Sequence, residues 1–225
     1  MSDTHYSKDW FQAHIPNWQR WLGEFRDRPG LRFLEIGSFE GRSTVWLLQN
    51  ILTQPDSRIE CIDLFAPDPK QGDYHPRFRA NVAPWADKVL ERKGPSAEQL
   101  PLAEGPYDMI YVDGWHTAFG ALADGVMAWP KLKVGGVMIF DDYLWMPPEY
   151  AAAHKPGKLV REFWRALGRR WQDRAIAPIA AQTPKLGVDA LLSVLDGHFE
   201  LIQRDYQLAI RKTHAFRLGT LEQDT

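Results

Sequence analysis

The sequence predicts an α/β fold in which helices cover a mostly parallel β-sheet. Short apolar runs alternate with segments of helical periodicity over about 110 residues. Several of these runs end at an acidic residue, and the strand ends of a parallel sheet share one ligand-binding edge. Two further strand-like segments follow each other closely near the C-terminus and predict an antiparallel hairpin. We therefore expect a right-handed α/β sheet that ends in a hairpin.

The first strand, turn and helix lie within residues 31–44, LRFLEIGSFEGRST. The apolar run through Ile36 predicts a buried strand, and the helical pattern begins at about Gly41. Gly37 and Gly41 let the backbone turn sharply and approach a ligand closely. The spacing is Glu35-x-Gly37-x-x-x-Gly41 rather than Gly-x-Gly-x-x-Gly. Because a carboxylate replaces the first glycine of a dinucleotide-binding turn, the stretch favours a cationic ligand group.

The other elements follow from periodicity. Residues 5–28 carry one apolar stripe at helical spacing and predict a helix. In the helix after the fourth strand, Phe119, Leu122 and Val126 are expected on the apolar side. Further strands are predicted at 59–63, 89–92, 107–113 and 137–140, further helices at 45–52, 78–82, 96–100 and 184–195, and the hairpin strands at 199–206 and 208–212.

Composition excludes several classes of protein. The 225-residue chain is 44% hydrophobic and 25% charged, and its formal net charge of −2 gives no sign of a general polyanion binder. Its single cysteine, Cys61, excludes an internal disulfide and a Cys-based zinc site. The first ten residues contain no signal-peptide apolar region, and no apolar run reaches the ~18 residues of a membrane span. We expect one cytoplasmic domain over residues 1–225 that binds neither nucleic acid nor membrane.

Asp63 ends the second predicted strand, beside the first turn. In a doubly wound sheet, an acid at this position accepts two hydrogen bonds from the vicinal hydroxyls of a ribose. The alternative is an ordinary turn aspartate exposed to water. We predict that Asp63 binds a nucleoside.

Three more carboxylates, Asp113, Asp141 and Asp142, follow the fourth and fifth strands. Neighbouring strand ends bring them together, and a hard divalent cation such as Mg²⁺ would relieve their repulsion. His116 stands three residues after Asp113, where the next helix is expected to start. A helix N-terminus and a nearby dication both disfavour imidazolium, so we expect a neutral His116 that acts as general base. The alternatives are an acid pair that caps a turn and a histidine bonded to backbone.

Three segments, LEIGSFEGRST, VDGWHT and GGVMIFDDY, together resemble class I S-adenosylmethionine (SAM)-dependent methyltransferases of the methyltransferase-24 family. That family modifies sugars and small natural products. The acid and histidine spacing is similar to that of metal-dependent O-methyltransferases. The resemblance covers residues 31–143 well, 184–213 loosely and 144–183 hardly at all. It implies a Rossmann-like, seven-stranded, mostly parallel sheet with helices on both faces and a C-terminal antiparallel hairpin.

The same resemblance implies roles for individual residues. His116 would be the catalytic base, Glu35 would lie near the methionine ammonium, and Asp63 would hold the ribose. Ser96 and Ala97 would meet the adenine. The predicted SAM-binding residues are Glu35, Gly37, Ser38, Gly41, Ser43, Asp63, Ser96, Ala97 and Asp113, and the predicted ligands of Mg²⁺ or another divalent cation are Asp113, Asp141 and Asp142.

Two flanking segments complete the predicted organisation. Residues 1–30 form an N-terminal helical cap, and residues 144–184 form a lid or a substrate wall. The second segment leaves directly from Asp142, so it is expected to lie over the same sheet edge. An interface of a homodimer is the alternative, since the segment is rich in aromatic residues. Its amphipathic helix carries one apolar stripe, formed by Val160, Phe163, Trp164, Leu167 and Trp171.

We therefore expect a SAM-dependent methyltransferase that methylates a hydroxyl of a small molecule, such as a natural product, a sugar or a phenol. One alternative is a metal-independent N- or O-methyltransferase of the same fold. Another is a non-catalytic SAM-binding subunit. A nicotinamide dehydrogenase is disfavoured because the Gly-x-Gly-x-x-Gly turn is missing.

Overall fold

The computed structural model describes residues 4–153, 157–167 and 177–215 and contains one seven-stranded sheet. In chain order the strands are β1 (Arg32–Ile36), β2 (Arg58–Asp63), β3 (Val89–Lys93), β4 (Tyr107–Val112), β5 (Leu132–Phe140), β6 (Phe199–Arg204) and β7 (Leu208–Lys212). Their spatial order is β3-β2-β1-β4-β5-β7-β6. Strands β1 to β5 pair in parallel, whereas β7 runs antiparallel to both β5 and β6. The predicted fold class is confirmed.

The described α-helices are α1 (Ile15–Leu22), α2 (Arg42–Asn50), α3 (His75–Val82), α4 (Ser96–Gln99), α5 (Ala118–Ala128), α6 (Pro148–Ala153), α7 (Lys158–Ala166) and α8 (Pro184–Val194). Among the described residues, no helix combines the length and the apolar character needed to cross a bilayer. Two hydrophobic clusters lie on opposite faces of the sheet. One includes Trp18 of α1 with Phe33 of β1, and the other includes Val188 of α8 with Ile110 of β4. Because both faces of the central strands are buried, their sequences are nearly continuous apolar runs.

The N-terminal helical segment is shorter than predicted. Residues 12–25 are helical, as α1 with a 3₁₀ turn at each end, whereas the periodicity suggested 5–28. The side chain of Asp9 explains where the helix begins. Its Oδ1 accepts the main-chain N–H groups of Phe11 and Gln12 at 3.1 and 2.8 Å, immediately before the first helical turn.

The residues before Asp9 lie across the first turn of the sheet. The main-chain N–H and the hydroxyl of Ser7 both donate to the carboxylate of Glu40, at 2.6 and 2.7 Å. Glu40 is buried and also accepts a hydrogen bond from Arg77 Nε at 2.6 Å. The exposed ring of Trp10 lies 5.4 Å from the ring of Phe39, centroid to centroid. The N-terminal segment therefore borders the region where the cofactor turn was predicted.

The prediction that Phe119, Leu122 and Val126 lie on the buried side of α5 is wrong. Phe119 is 70% exposed, Val126 is 48% exposed, and Leu122 is only partly buried. The buried face consists mainly of small residues, because α8 packs closely against it. A β-carbon on Gly125 would stand only 2.4 Å from Leu191 Cδ2. Close helix packing, which helical periodicity does not reveal, therefore decided which side of α5 faces inward.

The apolar stripe predicted after α6 falls partly on α7. Val160, Phe163 and Leu167 are exposed, and Trp164 is partly buried. Trp171 lies outside the described residues. The roles expected for residues 144–184, a lid or a dimer interface, stay predictions.

Candidate active site

The turn after β1 is built around Gly37, whose φ is +87°. Its N–H donates to the carbonyl of Ile62 on β2 at 2.8 Å. A β-carbon at Gly37 would lie 2.0 Å from the main-chain oxygen of Asp113, after β4. Both the backbone angle and the lack of space require glycine here. The turn therefore holds the carboxyl ends of β1, β2 and β4 in contact.

Helix α2 begins just after Gly41, which has φ +79°. Below the turn, Glu35 is fully buried and accepts hydrogen bonds from the hydroxyls of Ser43 and Thr44. Burial raises the pKa of Glu35, and these two hydroxyls partly oppose that rise. Glu35 thus fastens β1 to the first turn of α2. Its contact with a methionine ammonium stays a prediction.

Asp63 ends β2 and binds the same turn. Its Oδ2 accepts the main-chain N–H groups of Ser38 and Phe39, each at 2.9 Å. Its Oδ1 accepts the Phe65 N–H at 2.9 Å and the hydroxyl of Tyr74 at 2.7 Å. The expected proximity of Asp63 to the glycine turn is therefore present, and the carboxylate lies half-buried between the turn and the following loop. Tyr74 was not anticipated from the sequence.

Ser96 and Ala97 open the short helix α4 after β3. Ser96 is partly buried and Ala97 is exposed. Burial raises the pKa of Asp124 on α5, and the nearby side chain of Ser96 partly opposes that rise. The loop predicted to meet the adenine therefore lies beside the helix that follows β4.

The acidic cluster forms at the ends of β4 and β5, as predicted. His116 lies between two of its carboxylates. Its Nε2 is 3.3 Å from Asp113 Oδ1, and its Nδ1 is 3.0 Å from Asp142 Oδ2. The helix begins at Ala118 with Thr117 as its N-cap, so His116 precedes it rather than starting it.

The charges of this cluster shift the titration of its members. Burial and the neighbouring charge of Asp141 raise the pKa of Asp113 and of Asp142, and His116 opposes both shifts. Burial alone would lower the pKa of His116. Its hydrogen bond with Asp113 and the charges of the acids outweigh that effect and raise the pKa of His116 to about 9. This direction is opposite to the expected neutral imidazole. The expectation assumed a bound dication, whose charge would oppose that of the acids.

Three further side chains hold the acids in place, and sequence reasoning missed them. Buried Tyr111 donates its hydroxyl to Asp141 and, at 3.1 Å, lies within hydrogen-bonding distance of Asp113. Tyr206 donates to Asp142. Buried Gln207 donates to Asp141 Oδ1 at 3.1 Å and also accepts the indole N–H of buried Trp18 at 2.9 Å. A polar ring within the apolar run of β4 and a Tyr-Gln pair in the hairpin turn were the available signals.

The donor set fits a divalent cation. Asp113, His116 and Asp142 each place one possible ligand atom within 4.8 Å of the others. Two carboxylates and an imidazole suit a first-row divalent metal, and carboxylates alone suit Mg²⁺. Asp141 lies outside this group, and its oxygens accept hydrogen bonds from Tyr111, from Gln207 and from the main chain of Asp142. Its role as a metal ligand stays a prediction.

A pocket beside the acids is lined by both polar and apolar side chains. It includes Asp113, His116 and Asp141, together with Trp115 and Asp124. The ring of Trp145 meets that of His116 edge-on, with 6.1 Å between their centroids. Aromatic surface therefore adjoins the candidate base, as a small-molecule site requires.

Residues 34–143 match the family model described as a methyltransferase domain. The matched segment contains the glycine turn, Asp63 and the whole acidic cluster with His116. This match supports a SAM-dependent methyltransferase. The fold, the position of the turn and the matched segment agree with that assignment.

Comparison with curated proteins finds two O-methyltransferases. The methyltransferase is 28% identical over 201 residues to O-methyltransferase hkm8 of Aspergillus hancockii, covering 84% of this chain and 72% of that protein. It is 35% identical over 83 residues to the catechol O-methyltransferase of Mycobacterium tuberculosis, covering 36% of this chain and 35% of that protein.

Among solved structures, the methyltransferase is similar to MycE, a methyltransferase of the mycinamycin biosynthetic pathway in complex with Mg, SAH and mycinamycin VI. The TM-score is 0.58 with 17% identity, and the match covers 96% of this chain and 53% of the MycE chain. At this identity the likeness establishes the fold alone.

Proposed function

We propose that this methyltransferase transfers the methyl group of SAM to a hydroxyl of a small molecule, with a divalent cation at the acidic cluster and His116 as general base. The observation that carries the proposal is the position of His116, which contacts Asp113 and Asp142 next to the Gly37 turn. The two curated relatives, both O-methyltransferases, support transfer to oxygen. A natural product, a sugar or a phenol each carries a hydroxyl that this chemistry would methylate.

The chain binds and orients the reactants. Bound SAM would supply a methyl group on a sulfonium leaving group, and a bound divalent cation would lower the pKa of the acceptor hydroxyl. Asp63 would hold the ribose hydroxyls by exchanging some of the four hydrogen bonds that its carboxylate accepts from the turn, from Phe65 and from Tyr74, and Glu35 holds the turn on α2. Asp113 and Asp142, with Asp141 as the third predicted ligand, would hold the cation. Alignment of the acceptor oxygen with the methyl group then accounts for much of the rate enhancement.

His116 removes the proton from the acceptor. Its Nε2 has the longer of the two carboxylate contacts, so Nε2 takes the proton while Nδ1 stays on Asp142. The adjacent carboxylates then stabilise the imidazolium that forms. This role requires a neutral ring at the start of the reaction, which the charge of a bound cation would favour.

A metal-independent O-methyltransferase is the second candidate. It is favoured by the same contacts, because an imidazolium at His116 compensates part of the charge of Asp113 and Asp142 without any cation. The two candidates differ in whether a chelator stops turnover.

We assign residues 144–184 to a wall of the acceptor pocket, and the contact between Trp145 and His116 supports that role. A homodimer interface at the exposed apolar side chains of α7 is the alternative. We also propose a cytoplasmic enzyme without a nucleic-acid substrate. The net charge of −2 and the single, buried Cys61 support this proposal.

The test is a methyl-transfer assay with SAM, Mg²⁺ and a panel of one catechol, one glycoside and one phenolic acid. SAH formation that depends on the acceptor, with a product methylated on oxygen, supports the proposal. His116→Gln should lower turnover by about 10²–10⁴-fold, the usual contribution of a general base, without changing SAH affinity. An N-methylated product, or an unchanged rate in His116→Gln, would contradict it.

A further inference from the structure

The carboxylate of Asp63 already accepts as many hydrogen bonds as its oxygens readily take. Its two oxygens offer about four lone-pair sites, and four donors of the protein use them. Three are the main-chain N–H groups of Ser38, Phe39 and Phe65. The fourth is the hydroxyl of Tyr74, which lies 2.7 Å from Oδ1. A ribose that bonds to Asp63 must therefore replace one of these donors.

The three main-chain donors are held by the backbone. Two of them belong to the turn after Gly37, which packs directly against the backbone of Asp113. The third is the N–H of Phe65, whose ring is only 1% exposed and lies 4.7 Å from that of Phe78, centroid to centroid. None of the three can leave the carboxylate of Asp63 without a shift of the backbone.

The hydroxyl of Tyr74 is the one donor of the four that belongs to a side chain. Tyr74 ends the loop after β2, immediately before α3, and its ring packs 4.9 Å from that of Phe39, centroid to centroid. Burial and the hydrogen bond with Asp63 raise the pKa of Tyr74, so the hydroxyl keeps its proton and donates it at neutral pH. Rotation about the side-chain torsions is enough to withdraw this donor. A tyrosine hydroxyl therefore occupies the oxygen that a ribose hydroxyl would need.

We propose that the hydroxyl of Tyr74 competes with the ribose for Asp63 and leaves Oδ1 when the nucleoside of SAM binds. Tyr74 is then a built-in competitor of the cofactor, which pairs the carboxylate in the ligand-free protein and lowers the affinity for SAM and SAH alike. The inference rests on the proposed function, because it takes SAM as the donor and Asp63 as its ribose ligand. An unpaired, half-buried carboxylate oxygen is costly, so the same contact stabilises the ligand-free protein.

The experiment measures the Kd of SAH by isothermal titration calorimetry in the wild type and in Tyr74→Phe, which keeps the ring and removes the hydroxyl. Tyr74→Phe should bind SAH about tenfold more tightly, because binding no longer breaks a charge-assisted hydrogen bond. A tyrosine that only supported the site would give the opposite sign. Tyr143→Phe is the matched control, since it removes a hydroxyl that donates to Asp189 at the same 2.7 Å in another part of the fold. Its Kd for SAH should equal that of the wild type.

Two further measurements locate the competition at the ribose and at Asp63. The 2′,3′-dideoxy analogue of SAH has no ribose hydroxyl to offer, so its Kd should be the same in the wild type and in Tyr74→Phe. In the Asp63→Ala background, Tyr74→Phe should leave the Kd of SAH unchanged, because the carboxylate for which the two hydroxyls compete is gone.

An unchanged or weaker affinity of folded Tyr74→Phe for SAH would overturn the inference, and so would an equal gain for the dideoxy analogue. If Tyr74→Phe does not fold, Tyr74→Leu serves as the second variant, with the same expected gain. Tighter binding of SAH by the variant, without any methyl transfer by the wild type, would remove the proposed function and leave this inference standing. An unchanged Kd in the variant of an active enzyme would do the reverse.

Discussion

Gly37 and the main-chain carbonyl of Asp113 lie so close that a β-carbon at Gly37 would stand 2.0 Å from the carbonyl oxygen. This contact joins the turn of the predicted SAM site to the strand end that begins the acidic cluster. The distance between the predicted SAM site and the acids therefore depends on a position that has no room for a side chain. The predicted binding site and the proposed catalytic site are adjacent parts of one sheet edge.

We expect Gly37→Ala to destabilise the protein by about 2–4 kcal/mol, because the new side chain meets backbone and the left-handed φ is strained. SAH binding should weaken with it. The control is Gly135→Ala, where φ is +83° but no atom lies within 4 Å of the added carbon. Urea unfolding of both variants separates the steric effect from the backbone strain. Equal losses of stability would show that the contact with Asp113 has no effect of its own.

Asp63→Ala should weaken SAH binding by roughly tenfold to a few hundredfold, as expected when charge-assisted bonds to ribose hydroxyls are lost. Asp68→Ala is the control. Asp68 lies in the loop that follows and accepts two main-chain hydrogen bonds, from Lys70 and Gln71, where Asp63 accepts three, but Asp68 has no assigned ligand. Calorimetry with SAH measures both variants. Wild-type affinity in Asp63→Ala would exclude the ribose role.

Asp113→Asn and Asp142→Asn should each weaken Mn²⁺ binding by at least about tenfold, because each removes one anionic oxygen ligand. The free ion can be followed by electron paramagnetic resonance without any turnover. Asp73→Asn, an exposed aspartate of the loop before α3, should have no effect. Asp141→Asn tests the third predicted ligand. A chelator that leaves full activity would select the metal-independent candidate.

The pKa of His116 predicts a pH dependence of stability in protein kept free of divalent ions. The folded-state pKa of about 9 exceeds the usual value of about 6.5. The ion pairs of His116 therefore stabilise the fold fully below about pH 6.5 while the acids stay ionised, and this contribution disappears as the pH rises through about 9. The stability difference between wild type and His116→Gln, measured by urea unfolding, should shrink across that interval. A difference independent of pH would contradict the assignment.

Gln207→Ala should destabilise the protein by about 1–3 kcal/mol, because it leaves the buried indole N–H of Trp18 and one bond to Asp141 without a partner. Gln203→Ala on the same hairpin is the control. Among the described residues, the side chain of Gln203 accepts a hydrogen bond from the exposed Arg20, so its loss should change stability by about 0.5 kcal/mol or less. Urea unfolding gives both values. Similar losses in the two variants would show that the buried bridge has no special role.

Local patterns in the sequence predicted the parts of this methyltransferase that depend on chain neighbours. The strand, turn and helix around Gly37 appear as expected, and so do the acids at the ends of β2, β4 and β5. The predictions for the ends of α1 and for the buried face of α5 were wrong. The observed features depend on the side chain of Asp9 and on the close approach of Leu191 to Gly125, neither of which follows from periodicity.

The sequence alone determined the fold class and the edge of the sheet where the chemistry is proposed, because strand and turn preferences are set by adjacent residues. The tertiary structure decided the partners: His116 between Asp113 and Asp142, Gln207 on Asp141, and Asp124 beside Gly114. These contacts join residues from different elements. Their distances and the resulting pKa shifts are fixed by three-dimensional packing and burial, which residue spacing does not specify.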